Sequence, residues 1–419
     1  TKYLQEHSIL NSRQFGFQKN KSTENALQEF VNKANYFMNN RCHALGLFID
    51  FSKAFDLIEH REMIKTLQKY GVGGVHLQWF RSYLENRKFK VKIAETFSND
   101  QDVLCGVPQG SQLGPILFLI YINDIFKEIK ACEIWAYADD LLILSGHRDF
   151  DVAKTRLQSD FDKLAKWAHN KGLVINAQKT ALMHICPKNM KVMDPISIKY
   201  HCCECLYNLI QRQNCTCRDI ELVEKIKYLG VWVDNRLTWK IHISETHKKL
   251  NSIMACMFRL GNKVNRNIKT TIYKALFEST IRYGINLYGT AAPSHLKKIE
   301  SQQKRCLKIL NLNYIPAQIN PTQYCINGFL TPKGFYAYTV LTQYFGTNEH
   351  KILEEKSRVT RSRQQFKTPI MNTLYGERLP EYCVPKIYNT LPEELNSLIR
   401  FKDFQTELYR WLTGTHTRP

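Results

Sequence analysis

Two adjacent carboxylates interrupt an apolar stretch of the sequence. Asp139 and Asp140 lie inside the run from Ile134 to Leu144, whose other residues are typical of two buried strands. Nothing within the run neutralises them, and burying an unpaired carboxylate costs several kcal/mol. The run therefore predicts a β-hairpin whose tip offers both acids to solvent or to a cation.

A third carboxylate follows another apolar run. Residues 44–49 are typical of a buried strand, and this strand ends directly in Asp50. Three carboxylates on neighbouring strand ends can hold two divalent cations for an in-line phosphoryl displacement. Oxygen ligands that leave several waters in place suit Mg²⁺, with Mn²⁺ as an alternative. The competing interpretation of Asp50 is a strand-end carboxylate that caps the following helix.

The composition favours a globular protein with a polyanionic partner. The chain has 419 residues, of which 44% are hydrophobic, enough for two to three domains. Its 59 Lys and Arg against 38 Asp and Glu give a net charge of +21, which favours nucleic acid or a membrane surface as partner. No apolar run reaches the roughly 18–20 residues of a transmembrane helix, and no secretory signal opens the chain. We therefore expect a soluble, intracellular protein without a membrane partner.

Helix and strand patterns are mixed over the first 240 residues, and helices dominate from Trp239. The range Phe89–Ile93 alternates like a strand, and Gly106–Gly114 is a loop from which Pro115 opens an apolar helix through Ile125. After about residue 316 the pattern becomes irregular. Helical spacing of apolar positions occurs at 22–40, 56–70, 239–260, 266–283, 294–311 and 401–412.

Seven motifs occur in an order that is more specific than any one of them. They are RQFGFQKNKSTENAL (13–27), LFIDFSKAFDLIEH (47–60), SYLENRKFKVKI (82–93), GVPQGSQLGPILFLIYINDI (106–125), YADD (137–140), GLVINAQKT (172–180) and YLGVWVD (228–234). In this order the chain resembles the reverse transcriptase of non-LTR (LINE-type) retrotransposons, most of all the jockey-like elements of insects. The resemblance covers nearly the whole chain.

The resemblance implies a right-hand polymerase of the α+β class. Fingers and palm would span residues 1–236, with a Cys-rich insertion at 200–218, followed by a helical thumb at 237–315. Residues 316–419 would form a mostly helical nucleic-acid-binding segment. The arginine-proline block that precedes FGF in this family, and the upstream endonuclease, are missing from the sequence. We therefore expect an N-terminally truncated fragment.

The implied activity is RNA-directed DNA synthesis. A primer 3′-hydroxyl would attack a dNTP on an RNA template with two Mg²⁺ ions, and the partners would be RNA template, DNA primer or target, and dNTPs. The implied location is the nucleus, where target-primed synthesis occurs, after a cytoplasmic ribonucleoprotein stage. One alternative is a catalytically inactive RNA-binding remnant. Another is an RNA-copying RNA polymerase, in which a second acid such as Asp56 often follows the first.

The resemblance also assigns the metal ligands. Asp50 would bind both ions, and the backbone carbonyl of Phe51 would add a further oxygen ligand. Asp139 would be the second principal ligand, with Asp140 close by and contributing less. Lys179 would protonate or stabilise the leaving pyrophosphate. The alternative for Lys179 is a solvated surface lysine.

Further positions would contact the nucleotide and the primer. Phe55 would stack under the incoming sugar and collide with a ribose 2′-hydroxyl, although an isolated Phe there is ordinarily a core residue. Gln109 and Gly110, in a glycine-rich loop that permits close backbone approach, would press against the nascent base pair. The turn at Tyr228, Leu229 and Gly230 would grip the primer end; by composition alone it is a strand and a turn.

Cysteines cluster in the insertion. Cys202 and Cys205 form a Cys-x2-Cys, and after nine residues Cys215 and Cys217 form a Cys-x-Cys, with His201 alongside. These are zinc ligand types, but the second spacing is tighter than in a usual zinc knuckle. Two interpretations stay open here, a structural Zn²⁺ and reduced thiols that pack a surface hairpin.

Overall fold

The computed structural model describes residues 2–193, 195–208, 215–260, 263–310, 324–326, 328–346, 357–360, 363–396 and 400–414. The chain divides into two compact units. Unit 1 comprises Thr1–Phe30 and Arg41–Leu229, and unit 2 comprises Val31–Asn40 and Gly230–Pro419. Helices and strands alternate through unit 1, whereas helices predominate in unit 2, so the predicted mixture of helix and sheet is confirmed.

The helices of unit 1, with α2 crossing the division, are α1 (Lys2–Glu6), α2 (Thr23–Asn39), α3 (His60–Lys69), α4 (Gly74–Leu84), α5 (Leu113–Ile122), α6 (Ile125–Glu128), α7 (Phe150–Asn170) and α8 (Cys203–Tyr207). Those of unit 2 are α9 (Lys240–Leu260), α10 (Arg266–Ile272), a π-helix (Tyr273–Glu278), α11 (Ser279–Arg282), α12 (Ile285–Tyr288), α13 (Pro293–Ile309), α14 (Pro332–Gly346), a 3-10 turn (Gly376–Arg378), α15 (Pro380–Tyr388), α16 (Glu393–Asn396) and α17 (Phe401–Thr413).

The strands of unit 1 are β1 (His43–Ile49), β2 (Lys88–Phe89), β3 (Lys92–Ile93), β4 (Thr96–Phe97), β5 (Gln101–Asp102), β6 (Glu133–Tyr137), β7 (Asp140–His147), β8 (Ala181–Ile185), β9 (Lys199–Tyr200), β10 (Arg218–Asp219), β11 (Glu221–Leu222) and β12 (Lys225–Tyr228). Those of unit 2 are β13 (Val231–Asp234), β14 (Cys325–Ile326), β15 (Phe329–Leu330), β16 (Ser357–Thr360) and β17 (Arg363–Phe366).

A five-stranded sheet organises unit 1, in the order β11-β8-β1-β7-β6. Central strand β1 is antiparallel to both β7 and β8, and six of its seven residues are buried, as an apolar run without alternation predicts. Helix α7 packs on β1 and β7, and α5, which is apolar on nearly every side, belongs to the same core. These layers fix the strand ends that carry the candidate acids.

Unit 2 is a helical assembly with its own core. Helix α9 begins after a turn in which the Asp234 carboxylate accepts the backbone N–H groups of Thr238 and Trp239, each at 2.9 Å. Helix α9 packs against α13, and α14 packs against α15 and α17. At the centre of this unit the Gln303 amide donates to the Tyr273 hydroxyl at 2.8 Å and to the Leu330 carbonyl at 2.7 Å.

Several predicted elements need correction. The helix expected at 56–70 begins only at His60, because the preceding residues form turns that bond to the 105–107 segment. The strand expected at 89–93 is wrong: β2 and β3 are separate two-residue strands with exposed side chains, since no core covers them. The helix at Pro115 begins at Leu113 and ends at Ile122.

After residue 316 the sequence pattern is irregular, yet the described residues there form helices such as α14, α15 and α17. Helices α14 and α15 both begin with a proline at the first helical position, a favoured place for it. Aromatic and β-branched residues lower the helix propensity of α14, and tertiary packing of Phe335, Val340 and Leu341 stabilises it instead. Within the described residues, no helix combines the length and apolarity needed to cross a membrane.

Candidate active site

The three predicted acids meet at one end of the sheet. Ile49 pairs with Leu141 in the antiparallel β1–β7 ladder, so the backbone of Asp50 comes level with that of Asp140. Tyr137 pairs with Asp140 in the β6–β7 ladder, which leaves Ala138 and Asp139 as a two-residue turn. The predicted hairpin with an acidic tip on the neighbour of the Asp50 strand is therefore confirmed.

The site concentrates negative charge with little compensation. The Asp50 Oδ2 atom is buried and has no hydrogen-bond partner, and the nearest cation is Lys179, whose Nζ lies 3.9 Å away. Burial and then repulsion from Asp50 raise the pKa of Asp139. Burial, with repulsion from Asp139 and Asp50, raises the pKa of Asp140 to about 6. This electrostatic strain is what a bound cation relieves.

Backbone contacts fix the end of β1. The Asp50 carbonyl accepts the Asn176 N–H at 2.8 Å, and the Asp50 N–H lies 3.4 Å from the Thr180 hydroxyl. Phe51, buried to 4% exposure, forms an isolated antiparallel bridge with Ile175. Because this bridge uses the carbonyl of the preceding residue, the Phe51 carbonyl takes no part in it. Its role as a metal ligand stays a prediction.

A segment near the N-terminus holds the acidic turn, and sequence reasoning missed this. The Phe15 N–H donates to the Ala136 carbonyl at 2.7 Å, so residues 13–15 extend along β6. The buried Gln14 side chain accepts from the N–H groups of Gly16, at 2.8 Å, and Ala138, at 3.0 Å. Ala138 has a left-handed φ of 55°, which is strained for a residue with a side chain. The only signal in the sequence was the FGF motif itself, to which no role was assigned.

Phe55 lies at the border of the core. Its ring stacks on Phe118 with centroids 4.2 Å apart and meets the Phe17 ring edge-on at 6.3 Å. The Phe55 carbonyl accepts the Val107 N–H at 3.0 Å. The ring is thus fixed from two sides while it stays partly exposed.

The glycine-rich loop is attached to the turn that carries Phe55. The Gln109 amide donates to Asp56 Oδ1 at 2.8 Å. Gly106 has a φ of 87°, and a Cβ there would lie 3.0 Å from the Asp56 carbonyl oxygen, so only glycine allows this approach. Gly110 has a φ of 75° and nothing within 4 Å of an added Cβ. The loop thereby presents an open, exposed backbone at Gly110.

The positions predicted to grip the primer lie at the end of β12 and in the turn that follows it. The buried Tyr228 ring packs against Phe48, with centroids 5.2 Å apart, and Phe30, at 6.4 Å. Burial and the charge of Asp140 raise the pKa of Tyr228 well above its usual value. Leu229 and Gly230 have left-handed φ values of 44° and 81°, which suit a tight two-residue turn. Their contact with a primer stays a prediction.

Comparison with known proteins decides the family. The model of the family described as "Reverse transcriptase (RNA-dependent DNA polymerase)" matches residues 1–233, which include all the predicted active-site residues. The chain belongs to the reverse transcriptase family. The similar proteins described next confirm the expected resemblance to jockey-like elements.

Two relatives of this chain come from Drosophila melanogaster. The RNA-directed DNA polymerase from mobile element jockey is 29% identical over 70% of this chain and 31% of its own length. The probable RNA-directed DNA polymerase from transposon BS is 27% identical over 73% of this chain and 33% of its own length. The chain therefore spans about a third of these relatives.

Among solved structures, a telomerase from Candida albicans in complex with a fragment of telomeric RNA aligns with 69% of this chain and 55% of its own. The TM-score is 0.36 and the sequence identity 12%, a likeness too low to inform the fold.

The cysteine-rich insertion of this chain forms a second polar cluster. All thirteen cysteines of the chain are reduced. One group of potential metal ligands has all its ligand atoms within 4.8 Å of one another, and it consists of His201, Cys205, Cys215 and Cys217. It is the one such group of three or more residues within the described part of the chain.

The converging set differs from the predicted one by a single residue. His201 stands in it, whereas Cys202, which was predicted, is exposed at the residue before α8. Hydrogen bonds from the Cys205 backbone N–H and from the Cys205 and Cys217 side chains lower the pKa of Cys202. Cys205, Cys215 and Cys217 thus lie together as predicted, Cys202 contacts two of them, and the four-cysteine ligand set stays a prediction beside the set that includes His201.

Proposed function

We propose that this chain is the polymerase core of a non-LTR retrotransposon and catalyses RNA-directed DNA synthesis. The observation that carries the proposal is the convergence of Asp50 with the Asp139–Asp140 turn in a chain of this family. Nucleotidyl transfer from a dNTP to a primer 3′-hydroxyl needs carboxylates in this arrangement. The names of the jockey and BS relatives support the same activity.

The acids fit divalent cations. A buried Asp50 oxygen without a hydrogen-bond donor, beside two carboxylates that disfavour each other's charge, is a suitable oxygen ligand set for Mg²⁺, or Mn²⁺ in its place. Asp50 and Asp139 would be the main ligands, with the Phe51 carbonyl and Asp140 assisting. When bound, the two ions lower the pKa of the primer hydroxyl and neutralise the triphosphate.

The protein groups around the acids would orient the substrates. Lys179, whose side chain is 70% exposed and whose Nζ is 3.9 Å from Asp50, would reach the triphosphate and stabilise the leaving pyrophosphate. Gln109 and Gly110 would support the nascent base pair through the open loop backbone. The turn from Tyr228 to Gly230 would bind the primer end.

Phe55 would select the sugar. Its ring has Phe118 behind it and Phe17 at its edge, so it cannot swing away from a ligand that reaches its exposed face. A 2′-hydroxyl placed against a fixed ring is excluded by steric overlap, whereas a deoxyribose is accepted. This favours dNTPs over ribonucleotides.

The remaining assignments are part of the same proposal. The net charge of +21 supports an RNA template and a DNA primer as partners. Residues 1–236 would act as fingers and palm, 237–315 as thumb and 316–419 as a further nucleic-acid-binding segment. Action in the nucleus, after a cytoplasmic ribonucleoprotein stage, stays a prediction.

Primer extension on an RNA template tests the proposal. We expect Mg²⁺-dependent incorporation of deoxynucleotides, abolished in Asp139→Asn and retained in Asp151→Asn, a matched control at an exposed acid of α7. Template binding that survives in both variants without synthesis by the wild type would identify an RNA-binding remnant. Equal use of ribonucleotides would identify an RNA polymerase. Either result would overturn the proposal.

A further inference from the structure

The cysteine-rich insertion has too little apolar core to fold on hydrophobic burial alone. Its described elements are the two-residue strands β9 and β10, which pair with each other, and the five-residue helix α8. Among residues 199–208 and 215–219, only His201 and Cys205 are buried. Tyr200 and Leu206 pack against the main core, but little else of the insertion is buried, and independent domains of this size ordinarily need a disulfide or a metal ion to hold one conformation.

The distances within the cluster distinguish a metal site from a disulfide. The Cys205 and Cys217 sulfurs are 3.6 Å apart, and the Cys215 sulfur is 3.3 Å from His201 Nδ1. A disulfide requires about 2.05 Å between sulfurs. Around a tetrahedral zinc, with Zn–S about 2.3 Å and Zn–N about 2.0–2.1 Å, neighbouring ligand atoms are about 3.6–3.8 Å apart. The cluster therefore has close to the spacing of a zinc coordination shell.

His201 is oriented like a metal ligand. Its side chain is buried, Nδ1 faces the cysteine cluster, and Nε2 lies 4.0 Å from Asp162 Oδ1 on α7. A carboxylate behind the second ring nitrogen fixes the orientation of many zinc-binding histidines. The Cys202 backbone N–H donates to the Cys217 sulfur at 3.3 Å, and its thiol contacts Cys205 and Cys217 but lies outside the set whose ligand atoms are all within 4.8 Å of one another.

We propose that His201 Nδ1 and the thiolates of Cys205, Cys215 and Cys217 bind one structural Zn²⁺, with Asp162 as a positioning residue. Three cysteines and one histidine complete a tetrahedral shell, so no position remains for substrate. Binding releases the three thiol protons to solvent, and each resulting thiolate sulfur forms a bond to the metal.

The ion would attach the insertion to α7, the helix that packs on the central sheet. The segment already contacts α7, where the Gln158 amide bonds the Lys199 backbone N–H and carbonyl at 2.8 and 2.9 Å. It then leads into β11, which pairs with β8 at the edge of the central sheet. Zinc would therefore fix the segment from which the chain continues to β12 and Tyr228.

Metal analysis of the full chain tests this site. The chain is purified with a reducing agent and without chelator, and its zinc content is measured by elemental mass spectrometry. We expect about one zinc per chain in the wild type and loss of zinc in Cys205→Ser, Cys217→Ser and His201→Ala. Cys203→Ser is the matched control, because this exposed thiol contacts His169 at 3.4 Å and lies outside the cluster.

Two further variants make the assignment specific. Cys202→Ser should keep its zinc, and Asp162→Asn should bind zinc about 10–100-fold more weakly in competition with a chelator. Exchange of zinc for Co²⁺ should give the visible absorption of a tetrahedral site with three thiolates, a signal that does not depend on polymerase activity. Far-UV circular dichroism establishes that each variant is folded.

Three results would overturn the proposal. A folded wild-type chain without zinc, even after incubation with Zn²⁺, would leave reduced thiols as the interpretation. A mass lower by two hydrogens, with no metal, would show a disulfide. Loss of zinc in Cys202→Ser with retention in His201→Ala would assign the four-cysteine ligand set instead.

Discussion

Gly16 offers the sharpest test of how the acidic turn is held. A Cβ added at Gly16 would lie 2.5 Å from the backbone nitrogen of Ala138 and 3.1 Å from its Cα. Both partners are backbone atoms, so neither can rotate away. The same nitrogen donates to Gln14 at 3.0 Å, and Ala138 directly precedes Asp139. Gly16→Ala should therefore displace the turn that carries the acids.

The size of the effect follows from the contact distance. Ordinary van der Waals contact begins at 3.4 Å, and the clash at 2.5 Å therefore requires a movement of about 0.9 Å. Displacing a catalytic group by about 1 Å costs on the order of 100-fold in rate, or about 2.7 kcal/mol of activation free energy. The overpacked contact should lower the free energy of unfolding by about 1–3 kcal/mol.

Gly46→Ala is the matched control in the same sheet. Its Cβ would meet Phe48, Leu144 and Ile185 side-chain atoms at 3.5–3.8 Å, which is ordinary contact. Primer extension under single-turnover conditions, with thermal unfolding of each variant, compares the two. We expect Gly46→Ala to stay near the wild-type rate. If the rate of a folded Gly16→Ala variant stays within about threefold of it, the view that this glycine positions the turn is wrong.

Three other perturbations probe separate parts of the protein. Burial lowers the pKa of His242 to about 4 from its usual 6.5. As the pH falls from 6.5 to 4, the unfolded chain therefore binds a proton at His242 before the folded chain does. His242 should therefore contribute about 2 kcal/mol less stability at pH 5 than at pH 7, measured as the change with pH in the difference between the urea unfolding free energies of the wild type and His242→Gln, and a difference that does not change with pH would contradict this. The fully buried Asp160 carboxylate accepts the backbone N–H groups of residues 130–132 and a bond from Lys163. Asp160→Ala should lower the free energy of unfolding by about 3–5 kcal/mol, with Asp160→Asn intermediate, and equal stability of the three proteins would contradict this. Phe55→Val should raise ribonucleotide incorporation relative to deoxynucleotide incorporation in primer extension, and an unchanged ratio would reject the sugar-selection role.

The acidic site could be predicted because its signals are local. Asp139 and Asp140 interrupt a buried hairpin, and Asp50 ends a buried strand, so charge and apolar pattern together fix their place. Gln14 could not be found in this way, because its contact with Ala138 spans 124 positions of sequence. His201 was visible beside the cysteines, but the spacing did not show whether it or Cys202 completes the ligand set.

The errors in secondary structure have a similar origin. Residues 88–93 alternate like a strand, yet no layer covers that segment, and two short exposed hairpin strands result. Helix α14 has a weak intrinsic propensity and is stabilised by its neighbours α15 and α17. Burial, which the local pattern does not encode, decides both cases.

The pairing of residues 13–15 along β6 also covers the backbone edge of that strand. A strand edge as apolar as Ile134, Trp135 and Ala136 would present unpaired backbone groups to another chain. At the opposite side of the sheet, β11 is only two residues long and offers little to pair with. A chain cut after residue 17 would keep all three acids yet expose the β6 edge. It would also lose the Gln14 contact that holds the turn carrying Asp139.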